Sequence, residues 1–142
     1  MLEPFVRDDS HWLFKLSPDE WIRAALSDLR RAEEAYQARN ARGGLAGAKR
    51  AAGMALNGAL IVEPKPIWGR TYVEHIAALA IDAAVPDRVR GACRELLETN
   101  MPGQTQLVTL RVTSTDHRVI EAARDVIAHA YAVVKRHEGG EP

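Results

Sequence analysis

Cysteine is nearly missing from this chain. Cys93 stands alone among 142 residues, which excludes an internal disulfide and any zinc site built on several thiolates. Net charge is missing too: Lys plus Arg and Asp plus Glu each number 19. No overall positive field therefore attracts nucleic acid, and any such binding must come from a local cluster. Long apolar runs are absent; the longest, Ile76 to Ile81, is far too short to cross a bilayer. The opening MLEPFVRDDSHW lacks the basic stretch and apolar core of a secretory signal, so the expected location is cytoplasmic. Lysine is scarce, 4 against 15 arginines, a balance that suits forked contacts to phosphate or carboxylate. With no low-complexity stretch and no linker, the length is that of one domain.

What the chain does have is helical periodicity. Residues 1–16 form a polar lead studded with Phe5, Trp12, Leu13, Phe14 and Leu16, a density that suggests packing on the domain. Ser17-Pro18-Asp19-Glu20 is a capping box with proline at the first helical position. It opens a stripe of Trp21, Ile22, Ala25, Leu26, Leu29, Ala32 and Tyr36, which Asn40-Ala-Arg-Gly43-Gly44 should end. A second helix is expected over about 46–62, rich in Gly47, Gly53, Gly58 and alanines. Three interior glycines cost about 1 kcal/mol each relative to alanine, which makes sense if neighbouring helices approach closely. Pro64 and Pro66 stop it. Thr71-x-x-Glu74 caps a third helix over about 72–84, and a fourth runs over about 87–99 after Pro86.

The segment 106–113 departs from this rule. Val108, Leu110 and Val112 alternate with Thr109, Arg111 and Thr113, which is strand periodicity. It reads as an extended crossover lying on the bundle or as an edge that pairs with its copy in a dimer. The last pattern, Thr115 to Glu138, is the longest without Gly or Pro. Its stripe is Ile120, Ala123, Ile127, Ala130 and Val134, with Asp116 or Thr115 as N-cap. Lys135 and Arg136 sit where the helix dipole favours cations. The expected fold is an all-α antiparallel bundle of about five helices with one extended segment.

The S-P-D-E-W opening, A-x-x-D-L-x-x-A-E, A-x-x-x-A-L-x-x-A-L-I-V, a helix with a central His and a final A-A-x-x-x-I-x-x-A helix together resemble the HEPN domain (higher eukaryotes and prokaryotes nucleotide-binding), in its small stand-alone bacterial form. The similarity runs from Ser17 to about His137. Active members are metal-independent ribonucleases carrying R-[DN]-x-x-x-H-x-Y, and Arg124-Asp125-x-x-x-His129-x-Tyr131 matches every position. The resemblance implies that His129 is a general acid or base on the ribose 2′-hydroxyl or the leaving oxygen, and that Arg124 holds the scissile phosphate. It also implies a homodimer whose two copies make one site. In toxin–antitoxin members a tyrosine placed like Tyr131 is modified by a partner nucleotidyltransferase. Three Arg-x(4–6)-His spacings occur, at Arg70–His75, Arg111–His117 and Arg124–His129; Asp125 and Tyr131 single out the third. At about 100° per residue, His129 lies about 140° around the helix from Arg124, so a dimer cleft or a helix distortion would have to bring them together.

Other candidates are weaker. His75, with Arg70, Arg111 and His117, could line a nucleotide pocket, although a lone helix histidine is more often a satisfied boundary residue. The five histidines show no metal-ligand spacing, so neither metal nor cofactor is expected. Gly43-Gly44-x-x-Gly47 reads as a helix–helix turn, not a phosphate loop. Cys93 falls in an apolar stripe and reads as core. Arg30, Arg31, Arg39, Arg42, Lys49 and Arg50 make the best local basic patch, a phosphate or RNA contact or else a solvated face. Three functions stay open: an RNA- or nucleotide-interacting HEPN-type protein, a non-catalytic dimerisation or adaptor bundle docking on a protein partner, and a bundle binding a small ligand along the small-residue faces of the second helix.

Overall fold

The computed structural model describes residues 15–63, 71–99 and 114–139. Within them the chain is all-α, with five helices and no strand: α1 Pro18–Gln37, α2 Ala41–Val62, α3 Tyr72–Ala80, α4 Asp87–Glu98 and α5 Ser114–Gly139. The extended segment expected over 106–113, most of the 1–16 lead, Arg70 and Arg111 lie outside the described residues. No helix among the described residues is long and apolar enough to cross a membrane.

Both capping boxes form. Ser17 Oγ accepts from the Glu20 amide while Glu20 accepts from the Ser17 amide, and Thr71 and Glu74 repeat the exchange at α3. Three boundaries differ from expectation. The second helix starts at Ala41, not near 46, because Asn40 acts as its N-cap and accepts from the Gly43 amide at 2.9 Å. The turn is confined to Ala38–Asn40, with Arg39 in the left-handed region at φ 65°, and both Gly43 and Gly44 lie within the first turn of α2. A Cβ at Gly43 would run into the capping Asn40 side chain, and one at Gly44 would clash with the Tyr36 ring. The third helix stops at Ala80, where Asp82 turns the chain by accepting from the Ala84 amide. α5 begins at Ser114, so Asp116 is a first-turn acid suited to the dipole.

Pairings fix the directions. Asp28 on α1 bonds Arg50 on α2, and Pro18 meets Gly58, so α1 and α2 are antiparallel. Glu33 and Asp19 on α1 pair with Arg124 and Lys135 on α5, so these also run oppositely. α2 and α5 therefore run the same way. α4 crosses α5 through Arg88–Asp125 and Glu95–Arg118. α2 is the centre of the bundle, contacting all four other helices, and most of its residues from Gly44 to Leu60 are buried. The small residues explain that position: a Cβ at Gly58 would lie 2.9 Å from the Pro18 carbonyl oxygen, and one at Gly53 would overlap Tyr72 Cβ. Neighbouring helices thus occupy the Gly53 and Gly58 positions, part of the small-residue faces that one of the three open readings gave to a small ligand.

Candidate functional site

The motif on α5 is dispersed around the helix. Arg124, half exposed, donates to Glu33 on α1 at 3.1 Å and to Glu121 one turn back at 3.2 Å. Asp125 accepts from Arg88 at 3.2 Å and ties α4 to α5. Tyr131 is 48% exposed, with the Lys135 ammonium 5.5 Å from its ring centre. His129 points elsewhere, into a cleft that none of the other three lines. Arg124 and His129 are therefore not brought together within one chain; the helical offset noted in the sequence separates them.

The second expected group is not brought together either. His75 is completely buried in α3, and His117 is exposed in the first turn of α5. A histidine with no accessible surface cannot share a solvent-facing pocket with an exposed one. Cys93 is buried, and burial pushes its thiol up to about 12, so it is core and not a nucleophile.

The cleft around His129 has a volume of about 440 Å³. It opens where α2 and α3 both end, between the 81–86 connection and the last turns of α5. Ala59, Leu79, Val85 and Val133 supply apolar walls, and Glu63, Asp82, His129 and Arg136 supply the polar groups. Glu63 Oε2 accepts from Arg136 at 2.5 Å and lies 2.7 Å from His137 Nε2. Burial pushes the Glu63 carboxyl up, but the bonds to His137 and Arg136 outweigh it and leave the group below its ordinary value. Burial holds the His129 imidazole below its ordinary value. The Arg136 charge pushes the same way, against Glu63 and Asp82. His129 is thus a neutral ring at pH 7, and it makes no hydrogen bond among the described residues. The sequence pattern singles out neither carboxylate and marks Arg136 only as a dipole partner. The local clue is thin: an Arg-His pair closing a helix seven residues after another histidine.

A second electrostatic feature lies toward the other end of α2. Asp28, only 6% exposed, accepts from Arg50 at 2.6 Å and from Arg31 at 3.2 Å, holding two guanidinium groups side by side. Arg42, Lys49 and Arg50 fall on one face of α2, and Arg39 projects from the adjoining turn. Among the described residues Arg39, Arg42 and Lys49 have no ion-pair partner. The phenol of Tyr72 stands close enough to feel both Asp28 and Arg50, while its burial raises its pKa.

Compared with protein-family models, with curated proteins and with solved structures, the chain matches none.

Proposed function

We propose that this protein is a HEPN-like bundle that binds RNA or a nucleotide, with phosphate contacts on the cationic face of the α1–α2 hairpin. The observation that carries the reading is the collection of Arg31, Arg39, Arg42, Lys49 and Arg50 on one hairpin of a chain with zero net charge. Three of these cations have no built-in counter-ion among the described residues, and the buried Asp28 carboxylate fixes the other two in place. Guanidinium groups fixed in this way are suited to forked phosphate contacts. The resemblance of Arg124-Asp125-x-x-x-His129-x-Tyr131 to the ribonuclease motif supports the same substrate class. Cleavage through Arg124 and His129 then draws one residue from each of two copies. The exposed phenol of Tyr131 suits modification by a partner nucleotidyltransferase.

The test is fluorescence anisotropy of a labelled single-stranded RNA 20-mer across a salt series, with cleavage followed in EDTA. Binding should weaken with salt. The triple variant Arg39→Ala/Arg42→Ala/Lys49→Ala should flatten the log–log salt slope by about 2, since each single-strand phosphate contact contributes about 0.7. An unchanged slope in the triple variant, or no binding by a folded parent, refutes the reading. Loss of cleavage in both Arg124→Ala and His129→Ala would assign the chemistry to that pair.

A second reading rests on the α1/α5 seam. Leu26 and Tyr131 are about half exposed there, on the helix faces that carry the Asp19–Lys135 and Glu33–Arg124 pairs. An apolar centre between ion pairs fits a dimerisation or adaptor surface. Light scattering of the parent and of Leu26→Glu/Tyr131→Glu separates this from a monomer.

A further inference from the structure

The cleft around His129 has the wrong electrostatics for phosphate. Its one lining guanidinium, Arg136, is already bonded to Glu63. Its second carboxylate, Asp82, accepts only the Ala84 amide and has no cationic partner among the described residues. α2 and α3 both point their carbonyl ends at it, each equivalent to roughly half a negative charge. The amino end of α4 opposes them, but Asp87 sits in its first turn beside Arg90. With His129 neutral, two lining carboxylates face one lining guanidinium. His137 lies on the outer side of Glu63, and the Asp19–Lys135 pair between α1 and α5 stands at the same end of the bundle. The walls away from these charges are Ala59, Leu79, Val85 and Val133.

We infer that this cleft binds a small organic cation, a protonated primary amine on a compact apolar body. The ammonium group donates to Asp82 and to the open ring nitrogen of His129, and the body packs on the apolar walls. A carboxylate or phosphate of the same shape meets Asp82, Glu63 and two carbonyl ends. This site is separate from the hairpin surface proposed for RNA binding, so those two readings stand or fall independently; it shares His129 with the proposed cleavage step, and an amine held there keeps a scissile phosphate from the same ring.

The experiment is a ¹H–¹⁵N correlation titration of the intact chain with 2-phenylethylamine and, as a near-isosteric anion, 3-phenylpropanoate, at pH 7.5. The amine should shift the Ala59, Leu79, Val85 and Val133 amides saturably, and the anion should not. Asp82→Asn keeps the oxygen that serves the Ala84 amide, so the turn persists. It should weaken amine binding about tenfold, the loss of one charge-assisted hydrogen bond. Amine occupancy should also lower the His129 ring pKa further, read from its carbon-bound proton shifts. Equal binding of the anion, unmoved cleft amides with the amine, or unchanged affinity in Asp82→Asn each overturns the proposal.

Discussion

Asn57 sits in an unfavourable environment. It is fully buried at the centre of α2, and neither amide atom has a hydrogen-bond partner among the described residues. A buried polar group left without partners costs about 1–3 kcal/mol. Alanine at this position removes that cost, gains helix propensity and leaves only a small void. Asn57→Ala should therefore stabilise the protein by about 1 kcal/mol, seen as a higher urea midpoint at unchanged slope; a lower midpoint would mean the amide is satisfied. At this scale sequence patterning succeeds where the chemistry is local. Ser17 with Glu20 and Thr71 with Glu74 are three residues apart, and their mutual capping follows from spacing alone. The cleft is a different case. Glu63, Asp82 and His129 come from the end of α2, the 81–86 connection and α5, and only the packing of three elements makes them neighbours.

At the scale of elements, α2 rests on where its glycines fall. Gly53 lies against Tyr72 Cβ, so Gly53→Ala forces α2 and α3 apart and should cost about 1–3 kcal/mol. Gly91 lies on the exposed face of α4, where a Cβ would meet nothing within 4 Å, and Gly91→Ala should instead stabilise by about 0.5–1 kcal/mol. Opposite shifts in melting temperature check the pair, each kcal/mol moving a domain of this size by about 2–4 °C. The central place of α2 was legible from its three glycines. Its start was not, because two adjacent glycines ordinarily signal a turn. Here Asn40 caps the helix ahead of them, and Gly44 is needed to seat Tyr36.

At the scale of the whole molecule, charge is sorted by region although the total is zero. Cations gather on the α1–α2 hairpin, and a negative cleft forms at the opposite end of α2. That cleft makes stability depend on pH. His129 has a folded pKa below its ordinary 6.5, so acid protonates the unfolded chain first. Stability therefore falls as pH drops below about 6.5, until the folded value is passed. Glu63, depressed from 4.5, contributes stability that is present above that value and lost as pH falls through the folded one. Thermal unfolding from about pH 8 to pH 3 should show both declines, with the upper one reduced in His129→Gln and the lower one in Glu63→Gln. Identical profiles for parent and variants would contradict this assignment.

The pairing of α5 with α1, α2 and α4 bears on the order in which the chain is made. The ion pairs from Arg124, Lys135, Arg136, Asp125 and Arg118 reach α1, α4 and the end of α2, and Val119, Val126 and Val134 are fully covered by the bundle. α5 is the last of the five to leave the ribosome. Until it does, the side of α2 that it covers remains open to water and to other chains. The nascent protein therefore carries an open apolar face on α2 from the completion of that helix until α5 closes over it.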